Sequence, residues 1–480
     1  MNPALRLVLF VALSIAPACS GSGEPEPAER VMVVILDATH RAHVGTYGGP
    51  DGLTPTLDAL AERSARFVRP FSNANWTLPS TACLMTGRLQ EQHGVVSRDH
   101  HVSDDQALLA ESFADAGFHT AGYSQMPYAS TTYGFGRGFD EFHYYGNGRE
   151  SELREGGLPI LENVARWIRA LEGQKWFAYV HLRRPHSPYD APPKLVGRID
   201  PDGPLADGSL DPTLRVSDTF AYRSLPPEQA ARAQSLYRAN LMAVDKSIDW
   251  LIAMAEAQGA VVVVTADHGE ALGRNDTWGH GISVAADNID IPLLIAGPGI
   301  LARTHEVPAS TIDLFPTLHE LCGVELPENY EPVGRSLAGL LRGEVADEDL
   351  DLGPRLSTGK HGFGPGLQVA VVEGTRKLVL DGDGTSALFD RATDPLEEHD
   401  LSTELPEVAE RLGRIARSWQ ADNADLIHRN RVEVEMTDEQ RADLERLGYV
   451  DDGPTDAADE GEASGAAVGK GEDAPGDSPR

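Results

Sequence analysis

An α/β architecture with a large, mostly parallel sheet follows from three features of this sequence. Val31–Leu36, Trp176–Leu182 and Val261–Val264 are near-continuous apolar runs rich in β-branched and aromatic residues. Such runs suit strands buried on both faces, as in parallel sheets. Between them lie segments of helical period. Thr54-Pro55 reads as a cap and first-turn proline opening a helix with Leu57, Leu60, Ala61 and Phe67 on its apolar side. Pro226–Ala257 places Leu241, Val244, Ile248 and Leu251 on one face. The third feature is a change of character near residues 345–355. Beyond it come short strand-like runs (Leu367–Val372, Lys377–Leu380, Ser386–Phe389) and a helix over Pro406–Ala421.

The chain has 480 residues, with Lys plus Arg 41 against Asp plus Glu 74 and a net charge of −33. So acidic a chain lacks the basic surface that nonspecific nucleic-acid binding needs, and no nucleic-acid partner is expected. Three cysteines exclude a disulfide framework, and Cys83 and Cys322 read as buried free thiols. Residues 1–19 have the form of an export signal: Arg6, the apolar run Leu7–Ala16, then Pro17-Ala18-Cys19. Small residues ahead of Cys19 resemble a lipoprotein signal, with Cys19 as the lipidated residue. Residues 20–30 read as a flexible tether, 31–345 as the catalytic domain, 355–449 as a smaller α+β subdomain, and 450–480 as a disordered acidic tail. The expected location is outside the cytoplasm, as a cell-envelope lipoprotein (periplasm or outer membrane) or a secreted protein. Any membrane contact would run through the N-terminal lipid.

The apolar runs end on polar residues where ligands collect in open α/β sheets. Val31–Leu36 ends at Asp37, and Val261–Val264 leads into Thr265-Ala266-Asp267-His268-Gly269-Glu270. Between them stands Trp76-Thr77-Leu78-Pro79-Ser80-Thr81-Ala82-Cys83-Leu84-Met85-Thr86-Gly87-Arg88. This stretch resembles the active-site signature of the sulfatase family, in the alkaline-phosphatase superfamily: Pro79, Ser80, Leu84, Thr86, Gly87 and Arg88 match. The resemblance extends to Asp267-His268-Gly269, to Pro185-His186-Ser187-Pro188-Tyr189, and to Trp278-Gly279-His280-Gly281. It implies a sandwich with a large mixed, mostly parallel sheet flanked by helices, plus a small C-terminal antiparallel-sheet domain.

The departures carry as much information. Sulfatases have a cysteine, oxidised to formylglycine, where this chain has Thr77, and an arginine where it has Thr81. A second metal-binding aspartate is replaced by Ala38. The sulfate-binding lysine and histidine fall on Gln125 and Pro127, and a further lysine on His280. Asp37, Thr77, Asp267 and His268 resemble instead the four-ligand site of the family's threonine-nucleophile relatives, which implies a divalent metal. Those relatives use Zn²⁺ or Mn²⁺, so the resemblance implies one of these here, at a site of mixed oxygen and nitrogen donors. Ca²⁺ or Mg²⁺ is possible, although Ca²⁺ seeks about six to eight oxygens. The resemblance gives His186 and His280 to the ester oxygens or leaving group, with Gln125 beside the substrate.

A formylglycine hydrate expels sulfate by collapsing to an aldehyde, whereas a threonine ester must be hydrolysed or passed on. The expected reaction is therefore metal-dependent hydrolysis, or transfer, of phosphate mono- or diesters on a small-molecule, glycan or lipid-headgroup substrate. Two alternatives stand beside it: sulfate-ester hydrolysis, and an inactive sulfatase fold that binds such a group.

Overall fold

A computed structural model describes residues 26–146, 158–199, 225–328, 330, 333–360 and 367–446. Cys19, the export signal and the acidic tail lie outside the described residues. β1 (Arg30–Leu36) is central in an eight-stranded sheet. The other strands are β2 (Ala65–Phe67), β3 (His119–Ser124), β4 (Glu141–Tyr144), β5 (Trp176–Leu182), β6 (Val261–Thr265), β7 (Leu293–Ala296) and β8 (Arg303–His305). Their spatial order is β8-β2-β7-β6-β1-β5-β3-β4. β1 pairs in parallel with both β5 and β6, while β7 runs antiparallel to β6 and β2, so the sheet is mixed but mostly parallel.

The central strands read as unbroken apolar runs because both faces of the sheet are covered. Val31, Val33 and Ile35 face the helices α2 (Thr77–Thr86) and α5 (Leu314–Cys322), meeting Leu78, Met85, Leu314 and Phe315 in one core. Met32, Val34 and Leu36 face the opposite way. There they join α1 (Pro55–Ala61), α3 (Pro159–Ala170) and α4 (Pro227–Ala257) through Leu57, Val164, Val244 and Ile248. Among the described residues no helix is long and apolar enough to cross a membrane.

A separate four-stranded antiparallel sheet follows: β9 (Arg355–Lys360), β10 (Leu367–Glu373), β11 (Arg376–Leu380) and β12 (Ser386–Asp390). Val369, Val371, Leu378 and Leu380 pack on α6 (Pro406–Asn430) through Leu412 and Ala416. Ala370 and Val372 point the other way, onto Phe71, Val284 and Ile289 of the larger unit.

Several local expectations change. Phe67 lies in β2, because the helix ends at Ala61. The C-terminal helix runs on to Asn430, and β9 was not legible because Arg355–Lys360 contains a single large apolar residue, Leu356. Cys83 and Cys322 are buried, free thiols.

Candidate active site

Asp37 follows β1 directly, and Ala38 then turns the chain with a left-handed φ of 58°. A non-glycine residue there costs about 1–2 kcal/mol. The turn is held on both sides: Tyr237 on α4 donates its hydroxyl to the Ala38 carbonyl at 2.8 Å and accepts the His40 N–H at 3.1 Å. The Ala38 N–H in turn donates to Asp267 Oδ1 at 3.2 Å, and the His268 N–H reaches the same oxygen at 2.9 Å. The parallel β1–β6 pairing therefore brings the ends of two sequence-distant strands together.

Thr77 opens α2, after the extended residue Trp76, so its hydroxyl sits at the helix N-terminus, which favours anions. Thr77 Oγ1 lies 3.2 Å from His268 Nε2. The His268 Nδ1–H donates to the Gly269 carbonyl at 2.8 Å, which leaves the Nε2 lone pair facing the cluster. Asp37, Asp267 and His268 present ligand atoms within 4.8 Å of one another, all buried. Asp37 Oδ1 and Asp267 Oδ2 are buried without a hydrogen-bond partner. Burial, and then the neighbouring Asp267, push the Asp37 carboxyl well above the usual carboxylate range, while burial holds His268 well below the ordinary imidazole value. Two orphaned carboxylate oxygens beside a neutral imidazole and an alcohol form a demand for positive charge. The residues present fit a divalent cation.

His186 and His280 complete the cluster: the His280 ring centroid is 4.3 Å from that of His268 and 4.8 Å from that of His186. His186 turns Nδ1–H to the Ser187 carbonyl at 2.6 Å, and burial keeps it well below the ordinary imidazole range. His280 differs. Burial opposes a charge on it, yet Glu270, 3.1 Å from Nδ1, and the charges of Asp37 and Asp267 raise its proton affinity. Gln125, at the end of β3, accepts the Arg183 N–H on Oε1 at 3.2 Å. Asp190, four residues beyond His186, is held by Arg183 and Arg184, each at 2.8 Å.

Two buried residues escaped the sequence reading: Glu270 and His181. His181, on β5, contacts Asp37 Oδ2 through Nε2 at 2.9 Å. The signal for it was a single imidazole inside an otherwise apolar strand. For Glu270 it was the acidic residue two places beyond His268.

The chain is similar to known proteins in sequence and fold. The sulfatase family model matches residues 29–324. An ulvan-active sulfatase of Formosa agariphila is 27% identical over 415 residues, covering 79% of this chain and 78% of that protein. A solved structure of a protein in complex with its substrate D-glucosamine-2-N,6-O-disulfate superposes with a TM-score of 0.66 at 17% identity, over 83% of this chain and 98% of the other. The phosphonate monoester hydrolase of Silicibacter pomeroyi gives a TM-score of 0.64 at 23% identity, over 82% and 96%. With its signature frame, its sheet and this match over most of the catalytic region, the chain belongs to the sulfatase family, hydrolases of the alkaline-phosphatase superfamily.

Proposed function

We propose that this is an exported hydrolase of phosphate mono- or diesters that uses Thr77 directly as its nucleophile. The observation that carries the reading is the position of the Thr77 hydroxyl, 3.2 Å from His268 Nε2 and beside the orphaned oxygens of Asp37 and Asp267. Asp37, Asp267, His268 and Thr77 would hold the cation. Bound there, Zn²⁺ or Mn²⁺ supplies Lewis acidity toward the Thr77 hydroxyl and the ester oxygens.

The chain's own groups do the rest. Thr77 Oγ1, its proton released to solvent, attacks phosphorus, and the bond from phosphorus to the leaving oxygen breaks. His280, held through Nδ1 by Glu270, presents Nε2 to that oxygen and gives it a proton. The free N–H groups at the start of α2 receive the anionic ester. Water then attacks the phosphorus, giving a proton to His280, and the P–Oγ1 bond breaks with Thr77 regaining its proton from solvent, because threonine lacks the collapse open to formylglycine.

Sulfate-ester hydrolysis is the second reading, favoured by the 27% identity to an ulvan-active sulfatase. The purified full chain, with Zn²⁺ or Mn²⁺, should turn over p-nitrophenyl phosphate or bis-p-nitrophenyl phosphate faster than p-nitrophenyl sulfate. Thr77→Ala should lower that phosphoester rate at least ~10³-fold. Sulfate turnover alone would replace the first reading with the second. Absence of turnover together with absence of bound metal would overturn both.

A further inference from the structure

We infer that His181 holds Asp37 to a single coordinating oxygen, and so adapts the cation site to a four-donor ion instead of calcium. The inference rests on the metal-assisted reading above. Asp37 Oδ2 is engaged by His181 Nε2 at 2.9 Å, and the other ring nitrogen, Nδ1, lies 2.8 Å from the Tyr179 hydroxyl. Tyr179 and His181 are neighbours on one face of β5, two residues apart, and β5 pairs in register with β1, with Ile35 opposite His181. With the phenol donating to Nδ1, the imidazole carries its proton on Nε2 and donates it to Oδ2.

His181 and Asp37 are fully buried and Tyr179 nearly so, so water has no access to substitute for this donor. His181 Nε2 is 3.7 Å from Asp267 Oδ2, too far for a hydrogen bond, so it does not occupy that oxygen. One oxygen of each aspartate therefore remains without a partner: Asp37 Oδ1 and Asp267 Oδ2. These lie 3.7 and 3.4 Å from His268 Nε2, and Thr77 Oγ1 lies 3.2 Å from the same nitrogen. The set is three oxygens and one nitrogen.

Calcium reaches about six to eight oxygens in part by taking carboxylates through both oxygens. That route is closed at Asp37 by the imidazole, and Ala38 offers no further carboxylate. A histidine packed in an apolar strand would serve the core equally well as a leucine. The Tyr179–His181–Asp37 chain is what distinguishes a positioning role from simple filling of space.

The test uses the full chain, stripped with chelator and reloaded. Zn²⁺, Mn²⁺ and Ca²⁺ affinities are measured by competition with a chromophoric chelator, and coordination is read from the visible absorption of the Co²⁺ form. Wild type should prefer Zn²⁺ to Ca²⁺ and give the intense Co²⁺ bands of a four-coordinate site. His181→Leu should lose ~10–100-fold in Zn²⁺ affinity, narrow the gap to Ca²⁺, and weaken the Co²⁺ bands. His181→Gln, whose amide can still donate to Oδ2, should recover most of the loss. Should His181→Leu fail to fold, Tyr179→Phe carries the test. It keeps the packing but frees the ring's tautomer, and should weaken Zn²⁺ binding several-fold. Unchanged Zn²⁺ affinity and an unchanged Co²⁺ spectrum in the folded variants would overturn the inference while leaving the proposed function standing. A wild-type chain that binds none of the three ions would overturn both.

Discussion

Glu270 and His280 show what one residue can do for another in this site. The carboxylate sits 3.1 Å from Nδ1, so it fixes the ring's orientation and, in the proposed mechanism, leaves Nε2 for the departing oxygen. General-acid help matters most when the leaving group is a poor one. Glu270→Gln should therefore slow hydrolysis of an alkyl phosphate by ~10²-fold, while p-nitrophenyl phosphate changes by only about threefold. Steady-state rates on the two substrates decide it; equal losses on both would assign Glu270 to folding alone. His280 was legible because it replaces a family lysine. Glu270 was not, because an acidic residue following a ligand motif has many uses, and only the turn between β6 and Trp278 brings it back to His280.

At the scale of elements, α1 depends on a cap that its own sequence does not provide. Thr54 stands at the expected position but makes no side-chain cap, and Asp245 on α4 instead accepts the N–H groups of Thr56 and Leu57, each at 3.0 Å. Asp245→Ala should cost about 1–2 kcal/mol, the usual range for a lost cap, in chemical denaturation. Burial, only partly offset by those N–H groups, raises the Asp245 carboxyl to about 6. The folded state then binds its proton more tightly than the unfolded chain. Its contribution is most favourable below pH ~4, weakens as pH rises from ~4 to 6, and is level above that. Asp245→Asn should flatten the stability profile in this window relative to wild type. A profile that keeps its slope would show that another group sets it.

The two sheets meet across a buried ionic joint. Asp290 accepts from Arg41 at 2.8 Å and from Arg391 at 2.7 Å, and Arg391 also lies over the Phe71 ring. Burial alone would raise the Asp290 carboxyl, but Arg391 and then Arg41 overcome it and hold the group far below the carboxylate range. A depressed carboxyl contributes its stability above the unfolded value near 4 and loses it as pH falls below that. Asp290→Asn should destabilise the protein by about 3–5 kcal/mol at neutral pH, because it strands a buried guanidinium. It should also be less sensitive than wild type to acid below pH 4. Urea denaturation at pH 7 and at pH 3.5 measures both, and an equal loss at the two pH values would contradict this account.

The primary sequence alone determined the α/β class, the central strands and the family frame, and it picked out Asp37, Thr77, Asp267, His268, His186 and His280 as candidate site residues. These were readable because apolar runs and short motifs are local, and each central strand is apolar on both faces. Only the tertiary structure decided which groups those residues would meet. His181 beside Asp37, Glu270 beside His280, Asp245 on α1 and Asp290 between two arginines are contacts between segments distant in the chain or folded back on themselves. No periodicity records them, because a hydrogen bond depends on ångström-scale placement that the packing of the whole sheet, not the spacing of residues, supplies.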